Sequence, residues 1–149
     1  MRLLIGAGAL SIPLLLAACG DTGEGGSIDV RITEWEIGVD PGSVPEGPIE
    51  ISIQNDGEET HELLVVRTDI ELDELPVKDD GSFDEDAADL DVEQEIDDIE
   101  DGDSTGRTYE LDAGRYVLLC NIVDEIDGED VSHFNQGLRE EFTVEDEGE

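Results

Sequence analysis

Ile49-Glu50-Ile51-Ser52-Ile53-Gln54-Asn55-Asp56-Gly57-Glu58-Glu59-Thr60-His61-Glu62-Leu63-Leu64-Val65-Val66 changes its hydrophobic pattern halfway along. In its first part Ile49, Ile51 and Ile53 alternate with polar residues, the period of a strand buried on one face. Asn55-Asp56-Gly57 is a strong turn signal. Leu63 to Val66 is then a continuous apolar run, which suits a central strand. Two strands of different burial therefore flank a polar turn, and His61 stands where the second strand begins.

The same signals recur on both sides. Ile28, Val30 and Ile32 alternate, and the phase breaks before Trp35 and Ile37, which predicts a bulge or a change of sheet. Pro41, Pro45, Gly47 and Pro48 mark a turn-rich connection. Tyr109 and Leu111 begin a strand, Ala113-Gly114 turns the chain, and Tyr116 to Cys120 is a second continuous apolar run. Phe142 and Val144 close the pattern. Short strands at this spacing predict an all-β sandwich or barrel. Residues 84–99 are ambiguous. Val92, Ile96 and Ile99 have helical spacing while Leu90 and Val92 also fit a strand, and the segment reads as an acidic insertion with one short helix.

The chain has 149 residues, which suits one domain. It carries 43 Asp+Glu against 7 Lys+Arg, a formal net charge of -36. Arg2, Arg31, Arg67, Arg107, Arg115 and Arg139 are scattered singly, so no basic stripe exists to follow a phosphate backbone, and nucleic acid is not an expected partner. Residues 69–103 hold eighteen acids and the chain's one lysine, Lys78. No run has the spacing of a calcium loop. So many acids beside one lysine resemble proteins of salt-loving organisms. At high ionic strength their mutual repulsion is screened over a few ångströms.

Residues 3–18 are almost wholly apolar behind Arg2, too short for a membrane span and placed as an export signal. Leu16-Ala17-Ala18-Cys19-Gly20 resembles a bacterial lipobox. That resemblance implies a signal peptide over 1–18, lipid on Cys19, and an extracytoplasmic protein anchored to the membrane. Residues 19–26 then form a flexible tether, 27–145 the domain, and 146–149 an acidic tail. Cleavage would leave 149 − 18 = 131 residues with a net charge of 6 − 43 = −37.

If Cys19 is lipidated, Cys120 has no disulfide partner. It is then a free thiol, an intermolecular bridge, a metal ligand or a buried structural cysteine. The chain's two histidines, His61 and His133, flank it in the order His…Cys…His. One thiolate and two imidazoles are the ligand inventory of a trigonal copper site, completed by a weak axial group. If they form one, the sulfur and the two rings must converge from three separate segments.

Three motifs carry a family resemblance. Residues 55–63, Asn-Asp-Gly-Glu-Glu-Thr-His-Glu-Leu, resemble the N-x-G-x3-H-E-[LF] stretch of the cupredoxin-like blue copper proteins of the plastocyanin/azurin group. Leu111-Asp112-Ala113-Gly114-Arg115-Tyr116 with Cys120-Asn121-Ile122 resembles their L-x-x-G-x-Y…C-N-[IL] strand. His133-Phe134-Asn135-Gln136-Gly137-Leu138 resembles their H-[YF]-x-x-G-M ending. The likeness runs from about Ser27 to Val144. It implies a cupredoxin-like Greek-key β-sandwich holding one copper ion on His61, Cys120 and His133. It also implies electron exchange with a redox protein partner and no catalysis by this chain alone.

Two departures qualify it. Twelve residues, 121–132, separate Cys120 from His133, where the family has only a few. Packed over His133, this loop favours electron transfer; held open, it favours a copper scavenger or chaperone. The axial methionine is also missing. Leu138 stands in its place and cannot coordinate, which would raise the potential by favouring Cu(I). Gln136, two residues out of register, is the other axial candidate. A third reading keeps the sandwich as a metal-free interaction domain with the three residues far apart.

Overall fold

The computed structural model describes residues 24–87, 90–146 and 148. Cys19, the expected signal peptide and most of the expected tether lie outside them, as do Glu147 and Glu149 of the expected acidic tail. No helix among the described residues is long and apolar enough to cross a membrane.

The chain forms two packed sheets. Strand β1 (Gly26–Ile32) pairs antiparallel with β2 (Ile37–Asp40) and parallel with β4 (Gly47–Asn55), which pairs in turn with β7 (Ser104–Leu111). The second sheet has the order β3 (Ser43–Pro45), β11 (Arg139–Glu145), β8 (Gly114–Leu119), β5 (His61–Arg67), β6 (Asp91–Ile99). The expected β-sandwich is thus what the sequence builds. The turn at Asn55-Asp56-Gly57 and the one at Asp112-Ala113 both carry the chain from one sheet to the other.

The core follows from the alternation. Ile28, Val30 and Ile32 of β1 and Ile49, Ile51 and Ile53 of β4 face Leu63, Val65, Tyr116, Leu118, Phe142 and Val144 of the other sheet. The continuous runs have a different cause. Leu64, Val66, Val117 and Leu119 point away from that core into a second one, closed by Leu75, Phe83 and Phe134. The excursion after β5 supplies Leu75 and Phe83, so β5 and β8 are buried on both faces, as continuous apolar strands require.

Two expectations are corrected. The phase break near Trp35 is neither a bulge nor a sheet change. Residues 33–36 form a tight connection, with Thr33 N–H donating to the Glu36 carbonyl at 3.0 Å, and β1 and β2 remain neighbours. No helix forms within the described part of 84–99. Residues 91–99 are strand β6, whose register against β5 slips twice. His61 faces Ile99 while Leu63 faces Ile96, and Val65 faces Gln94 while Val66 faces Val92. Each slip places an extra residue on β6. Asp98, at φ 53°, sits in the first. The extra residues stretch the apolar spacing to that of a helix.

Residues 121–132, the expected loop, hold a hairpin of β9 (Val123–Ile126) and β10 (Glu129–Ser132). It runs into the one-turn helix α1 (His133–Gln136).

Candidate metal centre

Three segments deliver three side chains to one end of the sandwich. His61 opens β5, Cys120 directly follows β8, and His133 opens α1. All three are fully buried. The Cys120 Sγ lies 3.8 Å from Nδ1 of His61 and 3.4 Å from Nδ1 of His133. The two rings stand 5.2 Å apart between centroids, and one ligand atom from each residue lies within 4.8 Å of the others. The expected convergence is therefore present.

Each position is held by neighbouring backbone. Asn55 is buried, and its amide nitrogen donates to the carbonyls of Glu59, Ile99 and Glu100 at 2.8, 2.9 and 3.2 Å. Its oxygen accepts from Gly57 N–H at 2.9 Å. This fixes the turn that leads into His61. Gly57 has little room for a side chain, since a Cβ there would sit 3.0 Å from a Glu34 carboxylate oxygen. Glu34 also accepts from Glu58 N–H, which lowers its pKa.

Asn121, next to Cys120, grips the second core's cover. Its side chain accepts from Phe83 N–H at 2.6 Å and donates to the Phe83 carbonyl at 3.1 Å. Its own N–H donates to Glu62 at 2.9 Å. Ser132 caps α1 by accepting from Asn135 N–H, and its hydroxyl donates to the Gly81 carbonyl at 2.8 Å.

Leu138 is tied by its backbone to two of the three residues. Its N–H donates to the His133 carbonyl at 3.2 Å, and its carbonyl accepts from Cys120 N–H at 3.0 Å. It is fully buried in the same core cluster as Cys120. Gln136 is exposed, which argues against it as an axial donor.

The electrostatics favour neutral groups. Burial pushes the Cys120 thiol up to about 11, although backbone N–H groups of Glu62 and Ile122 work against the rise. Burial, with His133 beside it, pulls His61 down to about 4. Without a metal the pocket thus favours a thiol and a neutral imidazole in a buried setting. A cation that binds there displaces the thiol proton, and soft sulfur with two imidazoles suits copper. The donor set fits the group that the family resemblance implies.

Two contacts were not foreseen from sequence. Asp124 of β9 stands 2.9 Å from Nε2 of His133. Trp35, 41% exposed, meets the His133 ring edge-on at 5.6 Å between centroids. A carboxylate group of Glu62, Glu95 and Asp97 also lies nearby in the fold, but it is partly or fully exposed.

A two-sheet sandwich with a buried His-Cys-His cluster at one end defines the cupredoxin-like class of fold. Solved structures agree. Reduced auracyanin from the photosynthetic bacterium Roseiflexus castenholzii matches with a TM-score of 0.54 and 19% identity, over 80% of this chain and 96% of that one. Auracyanin B matches with a TM-score of 0.50 and 16% identity, over 80% and 88%. Rusticyanin from Thiobacillus ferrooxidans matches with a TM-score of 0.51 and 11% identity, over 80% and 77%. At these identities the likeness is one of fold. No family model and no curated protein sequence matches the chain.

Proposed function

We propose that this chain is a type 1 (blue) copper protein that transfers electrons outside the cell membrane. The observation that carries the reading is the convergence of Cys120 Sγ with Nδ1 of His61 and His133, at 3.8 and 3.4 Å, in a fully buried pocket. Copper would supply a one-electron couple there.

The chain's own part is to hold three donors still. β5 and β8 are buried on both faces, so ligand positions fixed by their ends change little between oxidation states. Leu138, fully buried in the same core cluster as Cys120, would offer a bound copper no donor, which would favour Cu(I). The surrounding acids favour Cu(II), an effect that salt screens. We assign no catalysis to this chain, since both of its histidines would be taken up by the one metal.

Lipid on Cys19 would keep the domain at the membrane, as the lipobox-like stretch suggests, where a redox protein is the expected partner. A copper chaperone needs an open rim around the metal. Here the hairpin at residues 123–132 leads directly into His133, whose N–H donates to the Ile122 carbonyl at 2.9 Å. This favours the electron carrier.

The test is to add Cu(II) to the purified domain with Cys120 reduced. An intense blue colour, from charge transfer between thiolate and copper, is the expected result. A colourless protein with an intact thiol would sink the reading.

A further inference from the structure

The two imidazoles are not held alike. Nε2 of His61 is buried with no hydrogen-bond partner, the one such side-chain atom found among the described residues. Nε2 of His133 is 2.9 Å from a carboxylate oxygen of Asp124. A carboxylate only accepts, so it selects the ring form with hydrogen on Nε2 and leaves the Nδ1 lone pair free. That Nδ1 is the atom 3.4 Å from Cys120 Sγ.

Asp124 comes from the twelve residues that lengthen the chain between Cys120 and His133. Its backbone is fixed relative to the histidine. Asp124 pairs with Val131 and Val123 with Ser132 across the hairpin, and Ser132 is the residue before His133. Ser132 is in turn anchored to Gly81. The acid and the ring thus belong to one small rigid unit. Asp124 is 42% exposed at its side chain while the ring is fully buried, so the carboxylate lies across the ring's outward edge.

We propose that Asp124 is the positioning residue of the metal centre. It orients His133 with Nδ1 toward the metal and places a negative charge one imidazole away from it. This rests on the copper reading above. It gives the inserted hairpin a chemical task. Partners of this kind raise the basicity of a ligating histidine, and their loss weakens metal binding by about 10–100-fold.

The test compares three variants, in molar salt so that general surface charge is screened. Asp124→Ala removes the hydrogen bond and the charge. Asp124→Asn keeps an accepting oxygen, removes the charge and adds an amide donor. Glu129→Gln alters an exposed acid on the same hairpin. Copper affinity is expected to fall about 10–100-fold in Asp124→Ala and to be largely kept in Asp124→Asn. The reduction potential should rise in both and stay at the wild-type value in Glu129→Gln. In the metal-free protein, nitrogen-15 spectra of the imidazoles should show His133 protonated on Nε2 in the wild type. A mixture of ring forms is expected in Asp124→Ala.

Wild-type affinity, potential and ring form in Asp124→Ala would overturn the proposal. A wild type that binds no copper would remove the copper reading instead. The metal-free spectra would still decide whether Asp124 sets the ring.

Discussion

His61 and Cys120 are pushed in opposite directions by one cause, burial, and both end up preferring their neutral forms. In the metal-free protein this sets a stability window. The His61 value is about 4 when folded against 6.5 ordinarily, so its contribution is full above 6.5 and is lost as pH falls through 4. The Cys120 value is about 11 against 9.0, so its contribution is full below 9 and is lost as pH rises through 11. Denaturant unfolding of His61→Gln should therefore depend less on pH than the wild type between pH 4 and 6.5. Equal slopes would mean that water reaches His61. At the metal, Leu138→Met should lower the potential with the blue colour kept, because a weak sulfur donor stabilises Cu(II). His61→Ala or Cys120→Ser should abolish the colour. Trp35 is the chain's one tryptophan and touches His133. Its fluorescence should be quenched when Cu(II) binds, and unchanged emission would place the metal elsewhere. His61, Cys120 and His133 were legible in the sequence because two histidines and two cysteines allow few arrangements, and the family-like motifs around them name the same set. Asp124 was not, since one acid among 43 carries no mark until the fold sets it against a ring.

Strand β6 teaches the opposite lesson about pattern. Val92, Ile96 and Ile99 have the spacing of a helix face, yet pairing with β5 holds them in a strand with two slips in register. A long-range partner overrides a local period, and no reading of nine residues in isolation could separate the two. Asp98 at φ 53° is the local mark of the first slip, because left-handed backbone suits glycine, asparagine and aspartate. Asp98→Gly should stay within about 1 kcal/mol of the wild type in denaturant unfolding, while Asp98→Val should lose about 1–2 kcal/mol. The continuous runs of β5 and β8 were readable as buried strands, but the cover over their outer face was not. Phe83 lies in an acidic stretch and gives no periodic signal. It is fully buried against Phe134, with ring centroids 5.6 Å apart, and its backbone is gripped by Asn121. Phe83→Ala should cost about 3–5 kcal/mol of stability. It should also broaden the blue absorption band, since Asn121 neighbours Cys120. An unaffected band would separate the second core from the metal site.

At the scale of the whole molecule, charge dominates. Arg31 pairs with Asp56, and Arg115 with Glu71 and Glu141, but seven basic residues cannot offset 43 acids. The repulsion acts on the folded form more than on the expanded chain, and salt shortens its range from about 10 Å at 0.1 M to about 3 Å at 1 M. The melting temperature should rise markedly from dilute buffer to molar salt. A salt-independent value would contradict the reading of a salt-adapted surface. The burial of β5 and β8 on both faces has a further consequence, in time rather than in energy. Backbone amides exchange with solvent at rates set by how often their surroundings open, and doubly covered strands open only when the whole domain does. β5 and β8 should therefore be the slowest to take up deuterium, and β2 and β3, at the sheet edges, among the fastest. His61 and Cys120 sit at the ends of the slow pair, while His133 rides on a hairpin and a single helical turn. If the site ever loosens without the domain unfolding, it should do so from the His133 side.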